Sequence, residues 1–368
     1  MGKLIVLHYY ATGPGQELYS YLVSKGEMAA LLELPFSFSQ RKEAVLSIYR
    51  DGKESKVTFP APKGPFLWRC LRELSLTGKI FAYLEKNGFE IETCIGNGFF
   101  DTLVALRRKI KNVILYTIDY APNAYPSYLR WLYKKLDAYA AKRVTAVWNL
   151  SPRMQEARGN IPCKKILTVP HGTHFEKLKI LRHAPQNQSA LVFMGHLKED
   201  SGVDLAIKSL LELRKNFPKV TLTIVGGGPE EENLKALANS LGLLDCVKFL
   251  GFINDHTELE KILCNQAIGL ALYNPYKDLF SKNADPGKVK VYLGCGLPVL
   301  ITDVPAVAKE IQDSGAGEIV NYNVSSFAFG LGKILLDYQK FRSQAEALGA
   351  RYDWNKVFAE ALSKTFEL

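Results

Sequence analysis

No window of the 368-residue chain reaches about 18 uninterrupted apolar residues, so no segment reads as a membrane-spanning helix. The apolar run near the start, Leu4–Leu7, is too short for the apolar region of a secretion signal. Val6 also stands where a myristoylation signal needs Ser or Thr. Cysteine is sparse: six, at 70, 94, 163, 246, 264 and 295, with no Cys-x-x-Cys pair. That spacing argues against a zinc ribbon or a dithiol redox motif and fits a reducing, cytoplasmic compartment. His171 and His174 form only a His-x-x-His on a loop, a weak signal for metal, and no metal or other cofactor is expected. No nucleic-acid-binding motif, internal repeat or low-complexity segment is present.

What the chain does have is positive charge. Lys and Arg outnumber Asp and Glu by 47 to 37, a net charge of +10, which favours an anionic partner. The composition, 47% hydrophobic and 23% charged, is that of an ordered globular protein. At about 150 residues per domain the length suggests two domains. Short apolar runs bounded by Gly, Pro or Asn alternate with helical patterns, the signature of parallel sheets wrapped by helices. Residues 44–58 differ, because two alternating stretches flank Asp51-Gly52, a hairpin turn signal. The polar stretch 177–189 has no sustained period and reads as a linker. The expected organisation is a Rossmann-like domain over 1–176, the linker 177–189, a second Rossmann-like domain over 190–350, and a C-terminal amphipathic helix within 351–368 that crosses back to the first. Two doubly wound α/β halves of this kind place ligands outside the carboxyl ends of their strands, in a cleft that they face.

Three motifs in the second half are candidates for ligand binding. Ile224 and Val225 lead into Gly226-Gly227-Gly228-Pro229 and then three Glu at a helix start. The glycines permit close approach of a ligand or a tight turn, and the spacing is not the Gly-x-Gly-x-x-Gly of a dinucleotide loop. In Asn283–Val299, Asp285 can cap a helix, Pro286 can open it, and Gly287 leaves its first-turn N–H groups uncovered. Lys288 then sits in the first turn, where the helix dipole disfavours a cation unless an anion is bound there. The third motif is Phe193-Met194-Gly195-His196-Leu197, a strand end followed by Ser201-Gly202 at a helix start. Gly195 admits a diphosphate, and His196 or Lys198 can pair with it.

The order of these motifs, with Phe249–Phe252 between them and Trp354 in the last helix, resembles the C-terminal half of GT-B glycosyltransferases, specifically the large retaining family four (glycosyl transferases group 1). The likeness covers roughly residues 188–368. In the first half, Val169-Pro170-His171-Gly172 with Phe175 is similar to the family's strand-to-linker segment. Gly195 and His196 fall where the family has Gly-Arg, and Ser201 where it has Lys. The family's Glu-x7-Glu pair falls on Asn283 and Val291. Asp285-Pro286-Gly287-Lys288 is closest to a Ser-Pro-x-Lys variant of that block. The resemblance thus implies a GT-B fold and a nucleotide-sugar donor whose diphosphate and nucleotide are held by Gly195, His196, Gly227, Gly228, Pro286, Gly287 and above all Lys288.

In the first half, the loop from Thr12 through Gly13, Pro14, Gly15 and Gln16 follows the first strand. It is either a plain turn or, as the resemblance implies, an acceptor-side loop of Gly13, Gly15 and Gln16. Asp119, in the stretch Tyr116–Pro122 that includes Ala121, ends another strand. It either caps a turn or is the catalytic group that orients or deprotonates an acceptor hydroxyl. The clusters Arg107-Arg108-Lys109 with Lys111, and Arg130, Lys134 and Lys135 with Tyr128 and Trp131, mix cations with aromatics. They are a solvated face or a dock for the anionic inner face of a membrane. The function expected is transfer of a sugar, of hexosyl type, from a nucleotide-diphosphate sugar to a glycan or lipid-linked acceptor in polysaccharide or glycolipid synthesis. A nucleotide-sugar epimerase and a catalytically inactive scaffold on the same fold are the alternatives.

Overall fold

A computed structural model of the chain describes residues 3–10, 13–35, 42–64, 66–120, 122, 126–277 and 281–367. Thr12 and Ala121 lie outside the described residues. The chain forms two compact units, Met1–Pro170 with Phe358–Leu368, and His171–Val357.

The first unit runs β1 (Lys3–Tyr10), α1 (Pro14–Ser24), β2 (Ala29–Leu34), β3 (Glu43–Arg50), β4 (Lys53–Pro60), α2 (Phe66–Lys86), β5 (Glu90–Gly96), α3 (Phe99–Arg107), β6 (Asn112–Thr117), α4 (Ser127–Ala141), β7 (Ala146–Asn149), α5 (Pro152–Arg158) and β8 (Ile166–Thr168). Its strands order β4-β3-β2-β1-β5-β6-β7-β8, parallel except for the β2–β3 and β3–β4 pairs. The β3–β4 hairpin turns on Asp51 (φ 52°) and Gly52 (φ 77°), the two positive dihedrals that a tight two-residue turn demands. β2 was not legible in the sequence. Its Ala-Ala-Leu-Leu-Glu-Leu is made of helix formers, yet pairing with β1 and β3 buries it and fixes it as a strand.

The second unit continues with α6 (Phe175–Leu181), β9 (Ala190–Met194), α7 (Val203–Asn216), β10 (Thr221–Val225), α8 (Glu231–Ser240), β11 (Val247–Gly251), α9 (His256–Cys264), β12 (Ile268–Ala271), α10 (Gly287–Gly294), β13 (Val299–Thr302), α11 (Val307–Asp313), β14 (Gly317–Val320), α12 (Val324–Leu336) and α13 (Tyr338–Gly349). Its parallel sheet orders β11-β10-β9-β12-β13-β14. Successive side chains of β9 serve opposite faces: Leu191 and Phe193 join the core beneath α7 and α12, while Val192 joins the core beneath α10 and α11. Burial on both faces is why these strands read as continuous apolar runs.

The linker placed at 177–189 is corrected by the structure. The boundary between the units falls at Pro170 and His171, and the segment begins inside helix α6. Phe175 and Leu178 are buried, and Leu178 packs in the second unit's core, which anchors a helix too short to show a period. α12 also escaped sequence reading, because Gly330 and Gly332 weaken its helical signal. Gly330 lies against Val320 and Leu300, so the missing side chain lets the helix sit close on the sheet. The last helix, α14 (Trp354–Phe366), starts in the second unit and from Phe358 on packs in the first. There Trp148 Nε1 donates to Thr365 Oγ1 (2.9 Å), and the Phe358 ring lies 5.9 Å from that of Tyr21. Among the described residues no helix is long and apolar enough to cross a membrane.

Candidate active site

In the second unit the chain leaves β9 toward β10 on one side, whereas β12 leads to β13 on the other. The gap between the carboxyl ends of β9 and β12 is therefore the topological switch point, where doubly wound sheets bind ligands. A cleft of about 250 Å³ lies there, lined by Gly195, His196, Lys198, Ser201, Tyr273 and Lys288 among others.

Backbone packing shapes the floor of this cleft. Gly195 takes φ 149° and Gly226 φ 133°, dihedrals that favour glycine. A Cβ on Gly226 would collide with the Gly195 carbonyl, and one on Gly228 with the Leu197 carbonyl. The Gly195 N–H donates to Val225 O (2.9 Å), the Leu197 N–H to Gly227 O (3.0 Å) and the Glu230 N–H to Leu197 O (3.1 Å). The triple glycine thus serves chiefly to seat the Gly195–Leu197 loop. His196 Nδ1 lies 2.8 Å from Gly227 O; a carbonyl only accepts, so Nδ1 carries the proton.

Lys288 enters the same cleft from the first turn of α10. Its Nζ stands 4.5 Å from the Phe193 ring centre and 4.7 Å from that of Tyr273. A Cβ placed on Gly195 would be 3.6 Å from that Nζ. Two aromatic faces therefore hold the ammonium beside the glycine loop, offsetting its unfavourable place at a helix N-terminus. α10 is itself anchored: burial pushes the Tyr292 phenol pKa up, and its hydroxyl accepts the Met194 N–H at 2.7 Å. The helix starts at Gly287 with Pro286 as N-cap and no side-chain cap. Asp285 is not the cap that the sequence suggested. It is buried, its Oδ1 paired with Lys290 Nζ (2.7 Å) and its Oδ2 accepting the His171 N–H (2.7 Å). A buried ammonium in reach outcompetes the helix N–H groups for that carboxylate. The His171 ring lies about 3.5 Å from where a Cβ of Gly287 would stand.

Of the expected donor residues, then, Gly195, His196 and Lys288 line one cleft; Gly227 and Gly228 back the Gly195–Leu197 loop, and Pro286 and Gly287 begin α10, without lining it. Tyr273 and Phe193, which position Lys288, were not singled out as site residues. Their only signal was an aromatic at or just beyond a strand end. The remaining candidates belong to the first unit. Gly13 (φ 81°) is the N-cap of α1, Gly15 is buried, and Gln16 Nε2 donates to Glu33 Oε1 (2.6 Å). Asp119 lies exposed just past β6. Its neighbour Tyr120 has a phenol pKa pushed up to about 12 by burial and the Asp137 carboxylate, so it is no base at neutral pH. The basic cluster at 107–111 is partly neutralised. Arg108 grips Glu85 at 2.7 and 2.9 Å, and Lys111 pairs with Glu92 at 2.7 Å.

Residues 176–350 match the family described as glycosyl transferases group 1. The second unit belongs to that family. Relatives of this group 1 unit include D-inositol 3-phosphate glycosyltransferase of Corynebacterium jeikeium, 26% identical over 50% of this chain and 44% of that protein. A GDP-mannose-dependent alpha-(1-6)-phosphatidylinositol monomannoside mannosyltransferase of Mycolicibacterium smegmatis is 28% identical over 42% of this chain and 41% of its own. The match spans less than half the length of either relative. Among solved structures, sucrose-phosphate synthase of Thermosynechococcus elongatus superposes with a TM-score of 0.69 at 15% identity, covering 99% of both chains. Anabaena HepE in complex with UDP does so with a TM-score of 0.69 at 14% identity, over 98% of this chain and 100% of that one. The fold is therefore GT-B, with two Rossmann-like domains.

Proposed function

We propose that the protein is a retaining glycosyltransferase that moves a sugar from a nucleotide-diphosphate sugar to a glycan or lipid-linked acceptor. The observation that carries this reading is the Lys288 ammonium, held between Phe193 and Tyr273 beside Gly195 at the switch point of the sheet. A diphosphate there answers both the ammonium and the α10 N-terminus. The cleft's 250 Å³ is below the roughly 300–1,000 Å³ of a complete small-molecule site, so it takes the diphosphate end of the donor rather than all of it. Stabilising the leaving diphosphate is an electrostatic task that fixed donors perform without a metal. His196, which can donate to a phosphate oxygen through Nε2 only as the doubly protonated imidazolium, and Lys198 supplement Lys288. Asp119 serves the acceptor hydroxyl, with the Gly13–Gln16 turn beside the acceptor. The names of the two relatives, one an inositol 3-phosphate glycosyltransferase and one a phosphatidylinositol monomannoside mannosyltransferase, support an anionic or lipid-linked acceptor.

A thermal-shift series with UDP, GDP, ADP and their sugars tests the donor reading, since a ligand that binds only the folded state raises the melting temperature. No shift with any of them would refute it. Sugar conversion without an acceptor would favour the epimerase. Nucleotide binding with no turnover on any acceptor would favour the inactive scaffold.

A further inference from the structure

The first unit carries a surface that the donor cleft does not use. Fourteen large apolar side chains are exposed among the described residues, and six of them stand on two helices. These are Trp68 and Leu71 on α2, and Tyr128, Trp131, Leu132 and Tyr139 on α4. Trp68 and Trp131 are each 62% exposed, while the other two tryptophans of the chain, Trp148 and Trp354, are buried. Positions 128, 131, 132, 135 and 139 repeat at helical spacing, so they form one stripe along α4. Lys135 belongs to that stripe, its Nζ 4.3 Å from the Trp131 ring centre.

The charge on α4 has one sign. Its exposed ionic residues are Arg130, Lys134 and Lys135; its only acid, Asp137, is buried against Arg158 at 2.7 Å. On α2 the apolar surface continues from Leu71 into a groove of about 650 Å³ against α3. Leu74, Gly78, Leu103 and Val104 line it, with Arg107 beside them.

Topology sets where this surface lies. α3 joins β5 to β6 and α4 joins β6 to β7, each pair parallel, so both helices start at the carboxyl edge of the sheet. α2 starts at the same edge, because β4 runs in the direction of β1. Trp68, Leu71, Tyr128, Trp131 and Leu132 all fall in the first two turns of their helices. They therefore crowd the edge from which Asp119 and the Gly13 turn also emerge.

We propose that the N-terminal halves of α2 and α4 form a docking surface for an anionic lipid bilayer. Trp68, Tyr128 and Trp131 enter the boundary between headgroups and acyl chains, the place amphipathic rings prefer, and Lys135 on the stripe and Lys134 at its flank meet the phosphates. The proposal builds on the lipid-linked acceptor described above. It adds which face meets the bilayer, and that this face is the one bearing Asp119.

Sedimentation of the full chain with vesicles tests it, comparing phosphatidylcholine mixed with phosphatidylglycerol against phosphatidylcholine alone. Wild type is expected to bind the mixed vesicles at low salt and the neutral ones far less. Trp68→Ala with Trp131→Ala should weaken binding by at least about tenfold, since each ring leaves water on docking. Lys134→Ala with Lys135→Ala should weaken it by about thirtyfold on anionic vesicles, at roughly fivefold per cation. Lys248→Ala, an exposed lysine of the second unit, should bind as wild type does. Wild type that ignores anionic vesicles would overturn the proposal and leave an acidic protein as the occupant; a tryptophan pair that binds as wild type does would overturn it by showing that another surface meets the lipid. Nucleotide thermal shifts on the same preparations separate the two readings. Vesicle failure with nucleotide binding intact removes only the docking surface, and nucleotide failure with vesicle binding intact removes only the donor site.

Discussion

Replacing Lys288 by Met isolates the charge on which the donor reading stands. The Met stem still fills the space between Phe193 and Tyr273, whose ring centres flank Nζ at 4.5 and 4.7 Å. Alanine would remove that packing too and blur the result. A charge-assisted hydrogen bond to phosphate contributes about 1.5–3 kcal/mol, so binding of a nucleoside diphosphate should weaken roughly 10- to 150-fold. Binding of the parent nucleoside, which has no phosphate to lose, should change by less than about twofold on the same scale. Calorimetric titration of wild type and variant with both ligands measures the difference directly. The salt dependence gives an internal check: diphosphate binding by wild type should fall more steeply with ionic strength than binding by the variant. Equal losses for nucleoside and diphosphate would mean that Lys288 supports the shape of the cleft and does not touch the anion. Unchanged diphosphate affinity would remove it from the site.

Other predictions concern the frame of the cleft and the acceptor side. Lys290→Ala leaves the Asp285 carboxylate buried without its cation and should destabilise the second unit by about 3–5 kcal/mol in urea unfolding; a change under about 1 kcal/mol would show that the pair is readily solvated. Gly226→Ala forces a side chain onto φ 133° and into the Gly195 carbonyl, so it should both destabilise the unit and abolish nucleotide binding. Retained binding at normal stability would mean that the Gly195 loop is not the donor floor. Asp119→Asn should lower turnover by about 10²–10⁴-fold with donor affinity unchanged, as loss of a general base does; full turnover with a working acceptor would limit Asp119 to a turn.

The sequence by itself determined the class of the fold. Buried parallel strands must be apolar on both sides, so β9, β12 and β13 appear as apolar runs punctuated by glycine and proline. The Asp51-Gly52 turn was equally legible, because few residue pairs tolerate two positive φ angles. Lys288 stood out because a cation in a first helical turn is locally unfavourable, and local rules are what a sequence displays. Contacts distant in sequence were hidden. Nothing in Ala29–Leu34 announces a strand, since the pairing that makes it one comes from β1 and β3. Asp285 followed the rule for a cap, yet Lys290 and the His171 backbone claimed it. The glycines at 226 and 228 suggested room for a ligand, but the room is filled by the backbone of residues 195–197. The two rings that fix Lys288 come from either side of the switch point, Phe193 from β9 and Tyr273 from just past β12. Folding alone brings them within reach of one ammonium, because strands adjacent in the sheet are separated by the helices that connect them in the chain.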